Sequence, residues 1–225
     1  MRGELVEEAD KNSKAENSLG LINIYSFLAT IYNEEITAPV LRQIRNPRFL
    51  EALSSVGVQL DDDMFKGSED RLVEDLAVEY ARLFLGPGKH IPPYESVHHE
   101  RTDGDWGSLW GADTVAVKKF IESTGLEYRS EYDGLPDHIG VELEFMKEVT
   151  RREAQAWEEK DEDGADCCLK IKKKFIEEHL ARWIPVFCDK VIAAANLSFY
   201  REIAAITKSF IEFERKETDR YLSRV

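Results

Sequence analysis

Apolar side chains return at every third or fourth position in one segment after another, and hardly anywhere in alternation. Leu19, Ile22, Tyr25, Leu28 and Tyr32 form one such series. Leu72, Leu76, Tyr80 and Leu83, with Phe84 alongside, form a second, and Ile139, Leu143, Met146 and Val149 a third. This spacing lays an apolar stripe along one side of a helix. Shorter series at Val117, Phe120 and Ile121, at Ile171, Phe175, Ile176 and Leu180, and at Phe199, Ile203, Ile206 and Phe210 repeat the pattern. The one alternating phrase, "VGVQL", is short and has no second strand to pair with. The chain is therefore expected to be all-α: a single compact helical domain over residues 18–225, behind a polar arm over 1–17, with a long central loop containing proline and glycine.

Helix ends are marked in the same way. Asn17 or Ser18 is expected to cap the first helix, Asn46 the phrase "PRFLEALSSVG", with Gly57 as its stop, and Ser68 the helix of Leu72. Asp113 or Thr114 is expected to cap the next and Gly125 to close it. Pro136 should open the long helix that follows, "DEDGAD" should end it, and Trp183 with Pro185 should mark a bend, a further helix starting near Pro185. "LDDDMFKGS", "TDGDWGSLWGAD" and "LEYRSEYDGL" read as connectors.

Composition narrows the function. Of 225 residues, 43% are hydrophobic and 33% charged, which suits a folded protein in water, and the formal net charge is −14. Nucleic acid and anionic membrane would be repelled by such a surface; a basic ligand would not. No segment reaches the ~20 apolar residues of a membrane span, and the acidic N-terminal phrase lacks the apolar stretch of a secretion signal. The three cysteines, Cys167, Cys168 and Cys188, are odd in number and include an adjacent pair, as expected of reduced thiols in a cytoplasm.

The central phrase "YARLFLGPGKHIPPYESVHHER", residues 80–101, carries the densest chemistry. Gly86 to Lys89 lacks the G-x-x-x-x-G-K-[ST] spacing of a phosphate loop and reads as a helix stop. Ser96 lacks the nucleophile elbow. His98, His99 and Glu100, or His138 with Glu142 one turn on, offer metal-ligand atoms, although each set is incomplete. A helical metal-dependent enzyme using one of these sets is the alternative reading. The remaining reading is binding: Pro92 and Pro93 stiffen the segment, Tyr94, Leu83 and Phe84 supply apolar surface, and Glu95 and Asp137 supply acidic tips. Tyr80, Leu83 and Phe84 are equally candidates for the core, and Asp137 for the cap of the helix that Pro136 begins.

Three phrases in order resemble the TorD/DmsD/NarJ family of maturation chaperones for complex iron–sulfur molybdoenzymes. They are Tyr80, Leu83 and Phe84 running into Pro92, Pro93, Tyr94, Glu95 and Ser96; Asp137 and His138 with Glu142; and His179, Leu180, Trp183 and Pro185. Two histidines follow Ser96-Val97 where an aromatic is more usual, and Leu135 stands where a glutamate is common. The resemblance implies a cytoplasmic, non-enzymatic chaperone without an obligatory cofactor. It would bind the twin-arginine leader, the body, or both, of a molybdoenzyme catalytic subunit, and delay export until maturation. A subunit held permanently by an oxidoreductase is a further reading. On this resemblance Leu83, Phe84, Pro92, Pro93 and Tyr94 would meet the leader's apolar run. Glu95, Asp137 and Glu142 would meet its arginines, while His138 anchors the loop or the ligand; Tyr80 and Ser96 complete the expected site. A monomer or a helix-exchanged dimer is compatible with the long connectors.

Overall fold

The apolar series become α-helices whose stripes all face one interior. The computed structural model of the chain describes residues 2–55, 57–58, 60–86, 88–99, 111–127 and 134–223. In order, the helices are α1 (Arg2–Asn33), α2 (Ala38–Ile44), α3 (Pro47–Ser55), α4 (Glu69–Tyr80), α5 (Glu95–His98), α6 (Ala112–Ser123), α7 (Ile139–Glu159), α8 (Glu162–Phe175), α9 (Ala181–Ala194) and α10 (Ser198–Leu222). One 3₁₀ turn, Asp62–Met64, precedes α4. Among the described residues there is no strand; an isolated antiparallel bridge joins Tyr94 to His138. Val56 and Gln59 of "VGVQL" lie outside the described residues, as does most of the connectors "TDGDWGSLWGAD" and "LEYRSEYDGL".

α1 lies along α7, α7 against α8, and α9 against α10. The core where they meet is largely aromatic. The Phe84 ring packs edge-on to Tyr32, Tyr80 and Tyr200, at centroid separations of 6.0, 5.1 and 6.0 Å. Trp183, Phe175, Phe187 and Phe199 are completely buried around them. Edge-to-face contacts of this kind add specificity to the area buried. No helix among the described residues is long and apolar enough to cross a membrane.

Several helix ends follow the sequence. Ser68 Oγ accepts from the Arg71 amide at 3.4 Å, and Asn46 Oδ1 accepts from the Arg48 amide at 3.0 Å. Gly57 and Gly125 close α3 and α6 with φ of +87° and +74°, the left-handed conformation a side chain resists. Others do not. α1 runs through the expected arm, so Ser18 is interior rather than a cap: it is buried, and its hydroxyl reaches Glu153 Oε1 at 3.1 Å on α7. α6 starts two to three residues early, with Gly111 at the cap, which puts Asp113 in the first turn and buries Thr114. α7 starts at Ile139 with His138, not Asp137, as its cap. The break expected at "DEDGAD" is present but short, α7 ending at Glu159 and α8 beginning at Glu162. Lys160 takes a left-handed conformation, Asp161 caps α8, and the rest of the phrase is already helical.

Two π turns were not legible in advance: Ala81–Leu85 continues α4, and Ile176–Leu180 joins α8 to α9. Pro185 sits inside α9 rather than at a helix start. Wide turns of this type insert a residue and re-aim the side chains beyond it. Here the first turns Leu83 and Phe84 into the core, and the second delivers His179 to the central loop.

A buried charge cluster ties four helices together away from that loop. Lys172 Nζ of α8 lies 3.1 Å from Glu153 Oε2 of α7 and 3.2 Å from Glu214 Oε2 of α10. Tyr25 of α1 donates to Glu214 at 3.0 Å. Burial works to lower the Lys172 ammonium, but Glu214 and Glu153 outweigh it and hold it above its ordinary value.

Candidate functional site

Proline has no amide proton, so a Pro-Pro segment can be held only through its carbonyls. That is how the central loop is fixed. The Ile91 amide donates back to Leu83 O at 2.7 Å, Pro93 O accepts from the Ile139 amide at 2.9 Å, and Pro92 O accepts from His98 Nε2 at 2.8 Å. Gly86, at φ +71°, makes the exit from the π turn, and a β-carbon there would stand 2.8 Å from the His90 ring. The loop then leads into the single turn of α5, whose amide ends are met from outside: Glu95 N donates to Asp137 O at 2.9 Å and Ser96 N to Asp137 Oδ2 at 3.0 Å.

Asp137 therefore caps α5 across the chain, not the helix it precedes. The α7 cap is His138, whose Nδ1 accepts from the Gly140 amide at 3.1 Å. An acceptor at Nδ1 requires the neutral ring with its proton on Nε2. Burial lowers the His138 pKa to about 4, in keeping with that role. The ring also stands edge-on to Tyr94 at 5.0 Å. Gly140 allows the close approach of Asn33 at the end of α1, because a β-carbon there would lie 1.7 Å from Asn33 Oδ1.

The expected acidic tips are not tips. Glu95, Asp137 and Glu142 are each 0% exposed. In this arrangement they face inward partners instead of solvent. Glu95 Oε2 accepts from His179 Nδ1 at 2.9 Å. Glu142 Oε2 accepts from Trp183 Nε1 at 3.0 Å. Burial, followed by the charges of Glu95 and Asp137, pushes the Glu142 carboxyl well above the ordinary range, and a side-chain hydrogen bond with Glu95 adds to this. The Glu142 carboxyl therefore favours its protonated form.

His98 is positioned rather than reactive. Its ring stacks on Trp183 at 5.6 Å and 16°, and Lys190 Nζ donates to Nδ1 at 3.1 Å. Burial first, and then the Lys190 and His99 charges, lower it to about 4, against the pull of Pro92 O. Tyr80, Leu83 and Phe84 are core, and the Tyr80 hydroxyl donates to Tyr32 O at 2.9 Å. Pro93 and Ser96 are buried, while Pro92, Tyr94 and His138 keep partial exposure. The structure thus gathers the expected loop and α7 residues into one cluster but leaves only those three at its surface. Glu100 lies outside the described residues.

Sequence reasoning assigned no role to His179 and Trp183, although it noted their phrase. Their separation of four places both on one side of a helix, and that was the available signal. Lys190 carried no signal of its own. Apart from this cluster, α1, α3 and α10 leave between them an open groove of about 640 Å³. Its walls include Ile24, Phe27, Phe49, Leu53, Phe210 and Phe213, with Ile24 38% and Phe213 51% exposed.

The family model described as "Nitrate reductase delta subunit" matches residues 46–189, which contain the central loop and its partners Asp137, His138, Glu142, His179 and Trp183. A chaperone protein TorD from Photobacterium profundum is 25% identical over 203 residues, covering 85% of this chain and 90% of that one. A probable Tat proofreading chaperone DmsD from Haemophilus influenzae is 23% identical over 199 residues, covering 85% and 89%. Among solved structures, a candidate redox enzyme maturation protein from Archaeoglobus fulgidus matches in fold with a TM-score of 0.52 at 20% identity, over 85% of this chain and 93% of that one. The TorD and DmsD relatives are both named as chaperones.

Proposed function

The chain belongs to the nitrate reductase delta subunit family, and from that footing we propose that it is a cytoplasmic chaperone that binds the twin-arginine leader of a molybdoenzyme subunit during maturation. The observation that carries this reading is the open apolar groove between α1, α3 and α10 on a protein of net charge −14. A twin-arginine leader offers the complement: a basic start followed by an apolar run. Each large side chain fully buried in such a groove is worth roughly 1.5–3 kcal/mol. The protein's acidic field would draw the arginine end toward it. Ordering a flexible peptide costs several kcal/mol, so affinity on the order of micromolar is expected.

The loop cluster has a different part in this reading. Pro92, Tyr94 and His138 form its accessible edge and provide a second contact, with the leader or with the body of the client. Tyr80, Leu83, Phe84, Pro93, Glu95, Ser96, Asp137 and Glu142 act from beneath, by fixing the shape of that edge. No catalytic step and no cofactor enters.

Calorimetric titration with a twin-arginine leader from a molybdoenzyme of the same organism tests this, against a peptide with both arginines replaced by lysine. Binding to the arginine peptide should weaken at least tenfold in Phe213→Asp, which puts a charge in the groove wall, and by less in Tyr94→Ala. The reverse order would place the apolar run on the loop edge. Failure to bind any leader would overturn leader recognition.

A further inference from the structure

We propose that Glu95, His99 and Asp113 form a binding site for a divalent transition-metal cation, with Zn²⁺ the matching probe. His99 directly follows α5, and Asp113 lies in the first turn of α6, so the three residues come from two elements separated by residues 100–110. His99 Nδ1 is 3.6 Å from Glu95 Oε1 and 3.3 Å from Asp113 Oδ1. One donor atom from each residue fits within 4.8 Å of the others. Ligands at about 2.1 Å from one tetrahedral ion lie roughly 3.4 Å apart, so both separations from His99 Nδ1 are those of a coordination shell.

The state of His99 points the same way. It is 8% exposed, and among the described residues neither ring nitrogen makes a hydrogen bond. A buried imidazole with no partner is costly unless something satisfies it. A cation among Nδ1 and the two carboxylates would do so, and would also offset two negative charges placed close together. One imidazole with two carboxylates is a borderline-to-hard donor set, suited to Zn²⁺ or Mn²⁺ rather than to a thiophilic ion. Three protein ligands leave at least one position open, and the Asp113 side chain, 24% exposed, gives the entry.

Of the residues that sequence reasoning favoured for a metal, His99 belongs to this set, while His98, His138 and Glu142 are committed elsewhere. His98 donates to Pro92 O and accepts from Lys190, His138 caps α7, and Glu142 accepts from Trp183. The proposed ion would instead pin α5 to α6 and so steady the central loop from its far side. It is a structural cross-link, not a catalytic centre.

The test is a competition titration of Zn²⁺ against a chromophoric chelator, using the full chain with no affinity tag. It is run on the wild type, on Cys167→Ser/Cys168→Ser to remove the competing thiols, and on Asp113→Asn, whose near-surface position spares the fold. Wild type and the serine variant should each bind one equivalent, and Asp113→Asn should bind at least about tenfold more weakly, as loss of a ligand or its support does. Co²⁺ in place of Zn²⁺ should give visible d–d bands that Asp113→Asn diminishes. The proposal is overturned if no equivalent binds, if the serine variant loses it, or if Asp113→Asn binds as the wild type does. The last result would leave His99 as an ion pair only.

Discussion

Glu142→Gln should stabilise this protein, and by an amount that grows with pH. The Glu142 carboxyl is completely buried beside Glu95 and Asp137, and its folded pKa stands well above the ordinary 4.5. The folded state therefore holds a proton that the unfolded chain releases. For a pKa raised on folding, the stabilisation is complete below the unfolded value and is lost as pH rises toward the folded one. Each pH unit in that window removes about 1.36 kcal/mol. At pH 6.0, 1.5 units above the free carboxyl, the loss is about 2 kcal/mol relative to pH 4.5 or below. Glutamine cannot ionise, yet it keeps the arrangement: its carbonyl accepts from Trp183 Nε1, and its amide donates toward Glu95. Urea unfolding at pH 4.5 and 6.0 should give nearly equal stabilities for the two proteins at the lower pH and a gap of about 2 kcal/mol in favour of the variant at the higher. Taking the difference between the proteins cancels the titrating groups that do not interact with Glu142. A gap that does not change with pH would refute the assignment of the proton to Glu142.

Two further outcomes follow from the other buried polar groups. Lys172→Met leaves Glu153 and Glu214 facing each other without their cation and should cost about 3–5 kcal/mol in urea unfolding; Lys172→Met with Glu153→Gln and Glu214→Gln should recover most of that. His138→Ala removes the acceptor for the Gly140 amide and should cost about 1 kcal/mol near neutral pH, with the circular dichroism of the folded protein unchanged. It should also flatten the acid limb. His98 and His138 both have folded pKa values near 4, below their ordinary 6.5. For values lowered on folding, the contribution is present above 6.5 and is lost as pH falls toward 4, so the variant should lose one of the two contributions to that slope, measured by the same denaturation series.

The helices were legible because their evidence is local. Leu72, Leu76, Tyr80 and Leu83 recur at helical spacing whatever else the chain does, and Ser68 and Asn46 cap within three residues. What was misread depends on residues far away. Ser18 looked like a cap because serine in isolation favours that position, yet its partner is Glu153, 135 residues on. Pro185 looked like a helix start, but the π turn at Ile176–Leu180 had already carried the chain into α9. The same distinction governs the site. Pro92, Pro93 and Tyr94 announced a stiff loop by their own chemistry. Glu95, Asp137 and Glu142 read as surface because carboxylates seldom go inside alone, and none of these is alone: His179, Ser96 N and Trp183 meet them from other segments.

This explains why so short an element as α5 can hold a loop in place. Four residues cannot sustain a helix by their own hydrogen bonds, since the first turn fixes several residues for little return. Its order is imposed from outside. Asp137 receives its leading amides, His98 closes back on Pro92, and Glu95 anchors it to His179 on the π turn. Every one of these contacts involves a residue within, or beside, the three phrases that mark the family in sequence. The phrases are thus better understood as the parts of one clamp than as three separate binding surfaces. Pro92, Tyr94 and His138 form the clamp's partly exposed outer edge. The buried carboxylates set where that edge stands, Asp137 by receiving the leading amides of α5 and Glu95 by its bond to His179.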